Sequence, residues 1–269
     1  MKTSGIITLV TDFGLSDPYV AMMKGVILTI NPDARLVDIS HQIRVGSIFQ
    51  AAGLIHETFS YFPRGTVHVA VVDPGVGSER RCIGLETEGH LFVGPDNGIF
   101  WPVIKDHKET RIVHLTTESY FLPHITRTFH GREVFAPVAA HLSMGIDLQM
   151  MGPMMEDPIE LHVPMPKKEG ETYYGQVIRV DNFGNLITNI RRPELELFLE
   201  SAQPVTKIGN LTIKKLAHIY ADVEEGEPLV LINSSDSLEI AVNMARADRY
   251  IGVDSEEIIG TVVKVNKSE

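Results

Sequence analysis

Residues 69–81 read VAVVDPGVGSERR. Small and β-branched apolar residues run without a break into an aspartate, then a turn with two glycines, then a pair of arginines. An unbroken apolar run of this kind predicts a strand covered on both faces, the pattern of a parallel sheet rather than of a half-exposed antiparallel one. The rest of the stretch is then the loop at the carboxyl end of that strand, where open α/β sheets hold their ligands. An acid and a base seven residues apart in such a loop, Asp73 and Arg80, are candidates for chemistry.

Working outward, the flanking sequence alternates strand and helix. GIITLVT (5–11) reads as a buried strand, and PYVAMMKGVILTI (18–30) as a helix with Pro18 in its first turn and Asn31-Pro32 as its stop. RLVDIS (35–40) is a second strand. GSIFQAAGLIHETFSYF (46–62) carries an apolar stripe at helical spacing and ends at Pro63, and TVHVAVV (66–72) is the third strand. CIGLE and HLFVG suggest a hairpin, PDNG a turn, RIVHL another strand and EVFAPVAAHLSMG (133–145) a helix. This order predicts an α/β domain over residues 1–162, its mostly parallel sheet covered by helices on both faces.

The texture changes after residue 162. Prolines, glycines and charges over 163–172 read as a linker. Short strand candidates follow: YGQVIRV, NLITNI, PLVLIN, LEIAV and EIIGTVVKV, with one helix around PELELFLE. Their spacing predicts a smaller antiparallel β domain over 173–269.

Composition excludes several classes of function. Of 269 residues 43% are hydrophobic and 22% charged, which is ordinary for a folded chain. The formal net charge is −11 and no run of Lys or Arg exceeds two, so a nucleic-acid partner is not expected. The apolar run near the amino terminus is too short for a signal-peptide core or a membrane helix, so no membrane partner is expected. A single cysteine, Cys82, rules out an intrachain disulfide and fits a reducing compartment, hence a cytoplasmic location. Its place at the start of the apolar CIGL reads as a strand residue rather than a reactive thiol.

The remaining motifs leave alternatives open. In TDFGLSD (11–17) a carboxylate at the end of the first strand either accepts the two hydroxyls of a ribose or, at Asp12 or Asp17, caps the following helix. DPGVGSE lacks both the GxGxxG and the GK[ST] signatures, so it does not predict a phosphate cradle. Eleven histidines raise the question of a metal, but there is no HExxH, a single cysteine gives no thiolate cage, and His124 with His130 make a weak pair. No metal is expected. His130, in a glycine-containing turn before a helix, either faces a pocket or caps that helix. In DNFGN (181–185) Phe183 offers a stacking face and Asn185 an amide, although such a pentapeptide is also an ordinary turn.

Taken together, TDFGLSDPYVAMMKGVI, VVDPGVGSERR, VGPDNGIF, FHGREVFAPVAAHL, DNFGNLITNI and NSSDSLEIAVN resemble, in order and spacing, the S-adenosylmethionine hydroxide adenosyltransferases, relatives of the bacterial fluorinase and chlorinase. The resemblance implies hydrolysis of S-adenosylmethionine to adenosine and L-methionine, by attack of water or hydroxide on ribose C5′, without a cofactor. It also implies a homotrimer whose active sites lie between neighbouring subunits. By motif position, Asp73, Arg80 and His130 match the triad that holds the attacking water; Arg80 is preferred to Arg81 because the family's arginine falls seven residues after the aspartate. Asp12 matches the carboxylate on the ribose diol and Asp181 a contact to the methionine amino group. Phe183 and Asn185 match adenine contacts, Tyr220 a second aromatic wall and Ser234 the holder of the methionine carboxylate. Val242 and Met244 match backbone contacts to the base.

Three departures bear on the reaction. The halogenating relatives have a tyrosine-type residue where this chain has Asp73, and the fluorinase has a halide-contacting serine where it has Gly131. A carboxylate beside the attack path repels a bare halide but accepts a hydrogen bond from water. At Ser235 the fluorinase has an arginine, so the resemblance does not fix how the methionine carboxylate is held. The alternatives are a halide adenosyltransferase and a non-catalytic protein that binds adenosine or S-adenosylmethionine.

Overall fold

A computed structural model describes residues 2–252 and 257–268. They form two compact units, Met1–His162 and Val163–Glu269.

The amino-terminal unit carries β1 (Ile6–Thr11), α1 (Tyr19–Ile30), β2 (Arg35–Ser40), α2 (Ile48–Thr58), β3 (Val67–Val71), β4 (Cys82–Thr87), β5 (His90–Pro95), α3 (Trp101–Asp106), β6 (Arg111–His114) and α4 (Ala136–Ser143). Its six strands lie in the order β2-β1-β3-β5-β4-β6. Pairing is parallel from β2 through β5, and β4 runs antiparallel to both of its neighbours. The unbroken apolar strands follow from burial on both faces. Ile7, Leu9, Val67 and Val69 pack with Met23 and Ile27 of α1 and Leu142 of α4 on one face. Val10, Ala70 and Val72 pack with Ala51 and Ile55 of α2 and Val103 of α3 on the other. The chain leaves β1 over one face and leaves β2 over the opposite one. The carboxyl ends of β1 and β3, adjacent in the sheet, are therefore a topological switch point, where a crevice opens without any loop having to be moved aside.

Two helices differ from the sequence reading. The apolar stripe of 46–62 divides into α2, capped by the Ser47 side chain accepting from the Gln50 amide, and a separate 3₁₀ turn over Phe59–Tyr61. The helix expected at 133–145 begins earlier, as a π-helical turn over Gly131–Phe135 that runs into α4.

The carboxyl-terminal unit carries β7 (Lys167–Glu169), β8 (Thr172–Val180), β9 (Leu186–Arg191), α5 (Arg192–Leu199), β10 (Pro204–Ile208), β11 (Leu211–Ile213), β12 (Pro228–Ile232), β13 (Ser237–Val242), α6 (Ala247–Ile251) and β14 (Val262–Lys267). The sheet is antiparallel in the order β11-β10-β14-β8-β9-β13-β12, with β7 on β8. The stretch 163–172 is thus no linker throughout: Lys167–Glu169 pair with Thr172–Tyr174. Gly170 at φ 59 makes the tight turn between them, so the glycine and charges that look like punctuation belong to a hairpin.

Candidate active site

The residues at the switch point come from two strand ends and one later loop. Thr11 is paired with Val71, which sets the aspartates that follow β1 and β3 beside each other at one sheet end. Asp12 does not cap α1, whose N-cap position is Pro18 with no side-chain cap. Its Oδ2 instead accepts the Gly46 amide at 2.8 Å. The loop that carries it is pinned from behind, by His41 Nδ1 on Thr11 Oγ1 at 2.9 Å and by the Gly14 amide on the His41 carbonyl at 2.8 Å. Asp12, Gly46, Asp73, His130 and Gly131 line one cavity of ≈ 390 Å³ with Tyr19 and Phe129 on its wall.

Asp73, Arg80 and His130 meet. The turn after β3 folds back through Val76 N on Asp73 O at 3.2 Å and Ser78 N on Gly75 O at 3.1 Å. Gly77 sits at φ +77 with the Arg127 carbonyl 2.1 Å from where a Cβ would stand, so only glycine permits this approach. Arg80 Nε then donates to Asp73 Oδ1 at 3.0 Å and Oδ2 at 2.9 Å. Its Nη2 donates to the same carboxylate and to His130 Nδ1, the latter at 2.8 Å. Nη1 reaches Cys82 Sγ at 2.9 Å, and the guanidinium stands over the Phe135 ring at 5.5 Å. The Arg80 and Asp73 side chains are 9% and 5% exposed, which removes the solvent screening that makes surface pairs weak. Burial works against the Arg80 charge, but Asp73 and Cys82 outweigh it and hold the guanidinium above its ordinary range. Arg81 points elsewhere, to Asp96 and Asp157.

This geometry fixes the protonation of His130. A guanidinium only donates, so Nδ1 must be the accepting nitrogen and the ring proton belongs on Nε2. Burial lowers the imidazole pKa below its ordinary 6.5 and the Arg80 charge lowers it further, against the pull of Asp73 and of a hydrogen bond to the Thr126 backbone. The imidazole is therefore neutral at physiological pH with its lone pair committed to Arg80. Asp73 is different: Oδ1 accepts a single bond from Arg80, and a carboxylate oxygen has room for a second.

The carboxyl-terminal unit carries the other sequence-derived candidates. Asp181 organises the DNFGN turn, its Oδ1 taking the Phe183 and Asn185 amides, each at 2.9 Å, and its Oδ2 the Asn185 side-chain amide at 3.1 Å. The turn holds Phe183 73% exposed and Asn185 buried. Tyr220 donates its hydroxyl to Glu239 Oε1 at 2.8 Å. Burial and that carboxylate raise the Tyr220 pKa; burial also raises Glu239, helped by the nearby Asp181 charge. Ser234 is exposed in the turn before β13. The Val242 carbonyl accepts the Ala245 amide at 3.1 Å, and Met244 is exposed at φ 56.

The site contacts of Cys82, Thr126, Glu133 and Glu239 escaped the sequence reading, which placed Cys82 correctly as a strand residue and no more. Only Glu133 left a signal, as an acid inside the apolar EVFAPVAAHL. The other three become visible once the fold gives them partners.

Comparison with known proteins defines the class. Residues 7–152 match the SAM hydroxide adenosyltransferase N-terminal domain and residues 175–259 the C-terminal domain of the same family. The chain belongs to the SAM hydroxide adenosyltransferase family. It is similar to the (R)-S-adenosyl-L-methionine hydrolase of Methanocaldococcus jannaschii, at 38% identity over 93% of this chain and 92% of the relative. It is also similar to that of Salinispora tropica, at 35% over 92% and 94%. A fluorinase of Actinoplanes sp. is more distant, at 28% over 89% and 91%. The crystal structure of an uncharacterized conserved protein from Thermotoga maritima superposes with a TM-score of 0.88 at 34% identity, over 97% of this chain and all of the other.

Proposed function

We propose that this protein hydrolyses S-adenosyl-L-methionine to adenosine and L-methionine, with water attacking ribose C5′ in line with the departing sulfur. The observation that carries the reading is the Asp73–Arg80–His130 cluster on the cavity that also holds the Asp12 carboxylate. The sulfonium leaves as a neutral thioether, so no acid is needed at the leaving group. The difficulty lies with the nucleophile, because bulk water ionises only near a pKa of about 15.7. Holding water on the attack line contributes several kcal/mol through orientation. In the proposed mechanism Asp73 Oδ1 accepts the water's hydrogen bond and then its proton. Arg80 fixes the carboxylate and stabilises hydroxide character, and His130 locks the guanidinium. His130 is not assigned as the base, since protonating Nδ1 would set it against the Arg80 N–H. This chemistry calls on no cofactor and no metal.

The same carboxylate argues against a halide nucleophile, because a buried anion on the attack path raises the energy of a second one. We assign Asp12 to the ribose hydroxyls. The carboxyl-terminal set, Asp181, Phe183, Asn185, Tyr220, Ser234, Val242 and Met244, is assigned to adenine and methionine. A homotrimer, which the family resemblance implies, is the proposed assembly, and the single cysteine supports a cytoplasmic location. Among the described residues no helix is long and apolar enough to cross a membrane.

Incubation with S-adenosylmethionine, with and without chloride, tests the reading. Adenosine and methionine in both mixtures are expected. 5′-Chloroadenosine would identify a halide transferase, and tight binding without turnover a ligand sensor.

A further inference from the structure

Glu133 is fully buried, and the proposed reaction has no use for its carboxylate. It lies in the π-helical turn Gly131–Phe135 that follows His130, with the Ala136 amide bonded back to the Gly131 carbonyl. A π turn adds a residue to the helical repeat and is found frequently at functional sites. Here it turns Glu133 toward the preceding loop. Oε2 accepts the Thr126 amide at 2.6 Å, and both oxygens meet the Thr126 hydroxyl, at 3.1 and 3.0 Å. Arg132, standing over the Phe129 ring at 4.9 Å, completes the shell from outside.

The residue after Thr126, Arg127, lays its carbonyl against Gly77 in the turn between Asp73 and Arg80. One buried carboxylate thus anchors the segment that packs on the Asp73–Arg80 turn, and Arg80 from that turn donates to the imidazole of His130.

We infer that Glu133 is a positioning residue of the hydrolytic site: through Thr126 and Arg127 it holds the turn that carries Asp73 and Arg80, and so keeps Arg80 on Nδ1 of His130 and on the carboxylate that orders the attacking water. The inference rests on the function proposed above. Glu133 touches no substrate in this scheme. It is also no mere structural filler, because its bonds go to the loop segment that packs on the turn between Asp73 and Arg80.

Glu133→Gln tests it directly, since Oε1 accepts from Arg132 while Oε2 holds Thr126, and an amide nitrogen at either place sets a donor against a donor. The expected result is a turnover number lowered about 10–100-fold with KM changed less than about 2-fold, as for other supporting groups behind a reactive one. Nitrogen-15 spectra of the imidazole in the ligand-free protein supply a second readout. Wild type should show one tautomer, protonated at Nε2, and Glu133→Gln a mixture. A purely structural role would lower the melting temperature and leave tautomer and turnover alone. Should Glu133→Gln not fold, Thr126→Val carries the test with the same two readouts and an expected loss of about 10-fold, and Thr126→Ser, which keeps the hydroxyl, should recover most of it. Wild-type turnover or an unchanged tautomer in the folded variant overturns the inference. A wild-type protein that does not turn over S-adenosylmethionine sinks the proposed function instead, while the spectra still decide the role of Glu133.

Discussion

Arg80 donates at once to a carboxylate, an imidazole and a thiol, three acceptors in different directions that a planar fork serves and a single ammonium does not. Arg80→Lys is therefore expected to cut the turnover number by about 100-fold or more although the charge is kept, a loss in the range that general acid–base groups supply. Steady-state kinetics with S-adenosylmethionine measures it. Asp73→Asn should lower turnover by about 10²–10⁴-fold and leave ligand affinity within a few-fold, because it removes the group proposed to take the water's proton and no proposed substrate contact. Calorimetric titration checks the affinity, and equal losses in both would make Asp73 a binding residue. The pH profile follows from His130, whose pKa lies below 6.5. Protonation at Nδ1 sets two donors against each other, so activity should hold as pH falls through 6.5 and fail only below it. At this scale Asp73, Arg80 and His130 were legible through their motif positions. Cys82 and Thr126 were not, since a thiol facing a guanidinium or an amide held by a buried carboxylate exists only after folding.

The turn from Asp73 to Arg80 is the element on which the cluster depends, and Gly77 is its tightest point. Gly77→Ala forces a side chain into left-handed backbone, costing about 1–2 kcal/mol, and pushes against the Arg127 carbonyl as well. A lower melting temperature together with reduced turnover is expected, where a distant destabilising change would alter only the first. The elements themselves were largely legible. Strands buried on both faces write continuous apolar runs, as in Ile6–Thr11 and Val67–Val71, and those runs locate the sheet and its switch point. What stayed hidden was short or mixed in signal. α3 spans only Trp101–Asp106, and the hairpin of Pro204–Ile208 with Leu211–Ile213 turns on Gly209-Asn210 but has a three-residue second strand. The strand inside 163–172 is exposed along its length, so it carries no apolar pattern. The π turn leaves no mark either, because its apolar residues fit an ordinary helix as well.

For the molecule as a whole, stability has an acid limit built into the amino-terminal core. His68 and His90 are buried side by side, Nε2 to Nδ1 at 3.2 Å, with Thr8 on the far nitrogen of His68 and Phe59 and Phe92 around them. Burial, reinforced by His90, pushes His68 down to about 3 from 6.5. The unfolded chain therefore binds a proton that the folded one refuses. Stability from this site is complete above pH 6.5 and declines as pH falls from there toward 3, by up to about 1.4 kcal/mol per pH unit. Thermal melts of wild type and His68→Gln between pH 7 and 4.5 should show a flatter profile in the variant. Parallel curves would place the acid limit elsewhere. The proposed trimer predicts a light-scattering mass three times the 29.9 kDa of the chain.

In the proposed reaction solvent oxygen ends on C5′ of the nucleoside. Turnover of S-adenosylmethionine in ¹⁸O-labelled water, followed by mass spectrometry of the products, tests it most directly. Adenosine carrying one heavy oxygen at the 5′ position and unlabelled methionine are expected, with chloride in the buffer making no difference. Unlabelled adenosine, or a 5′-halogenated nucleoside in its place, would contradict it.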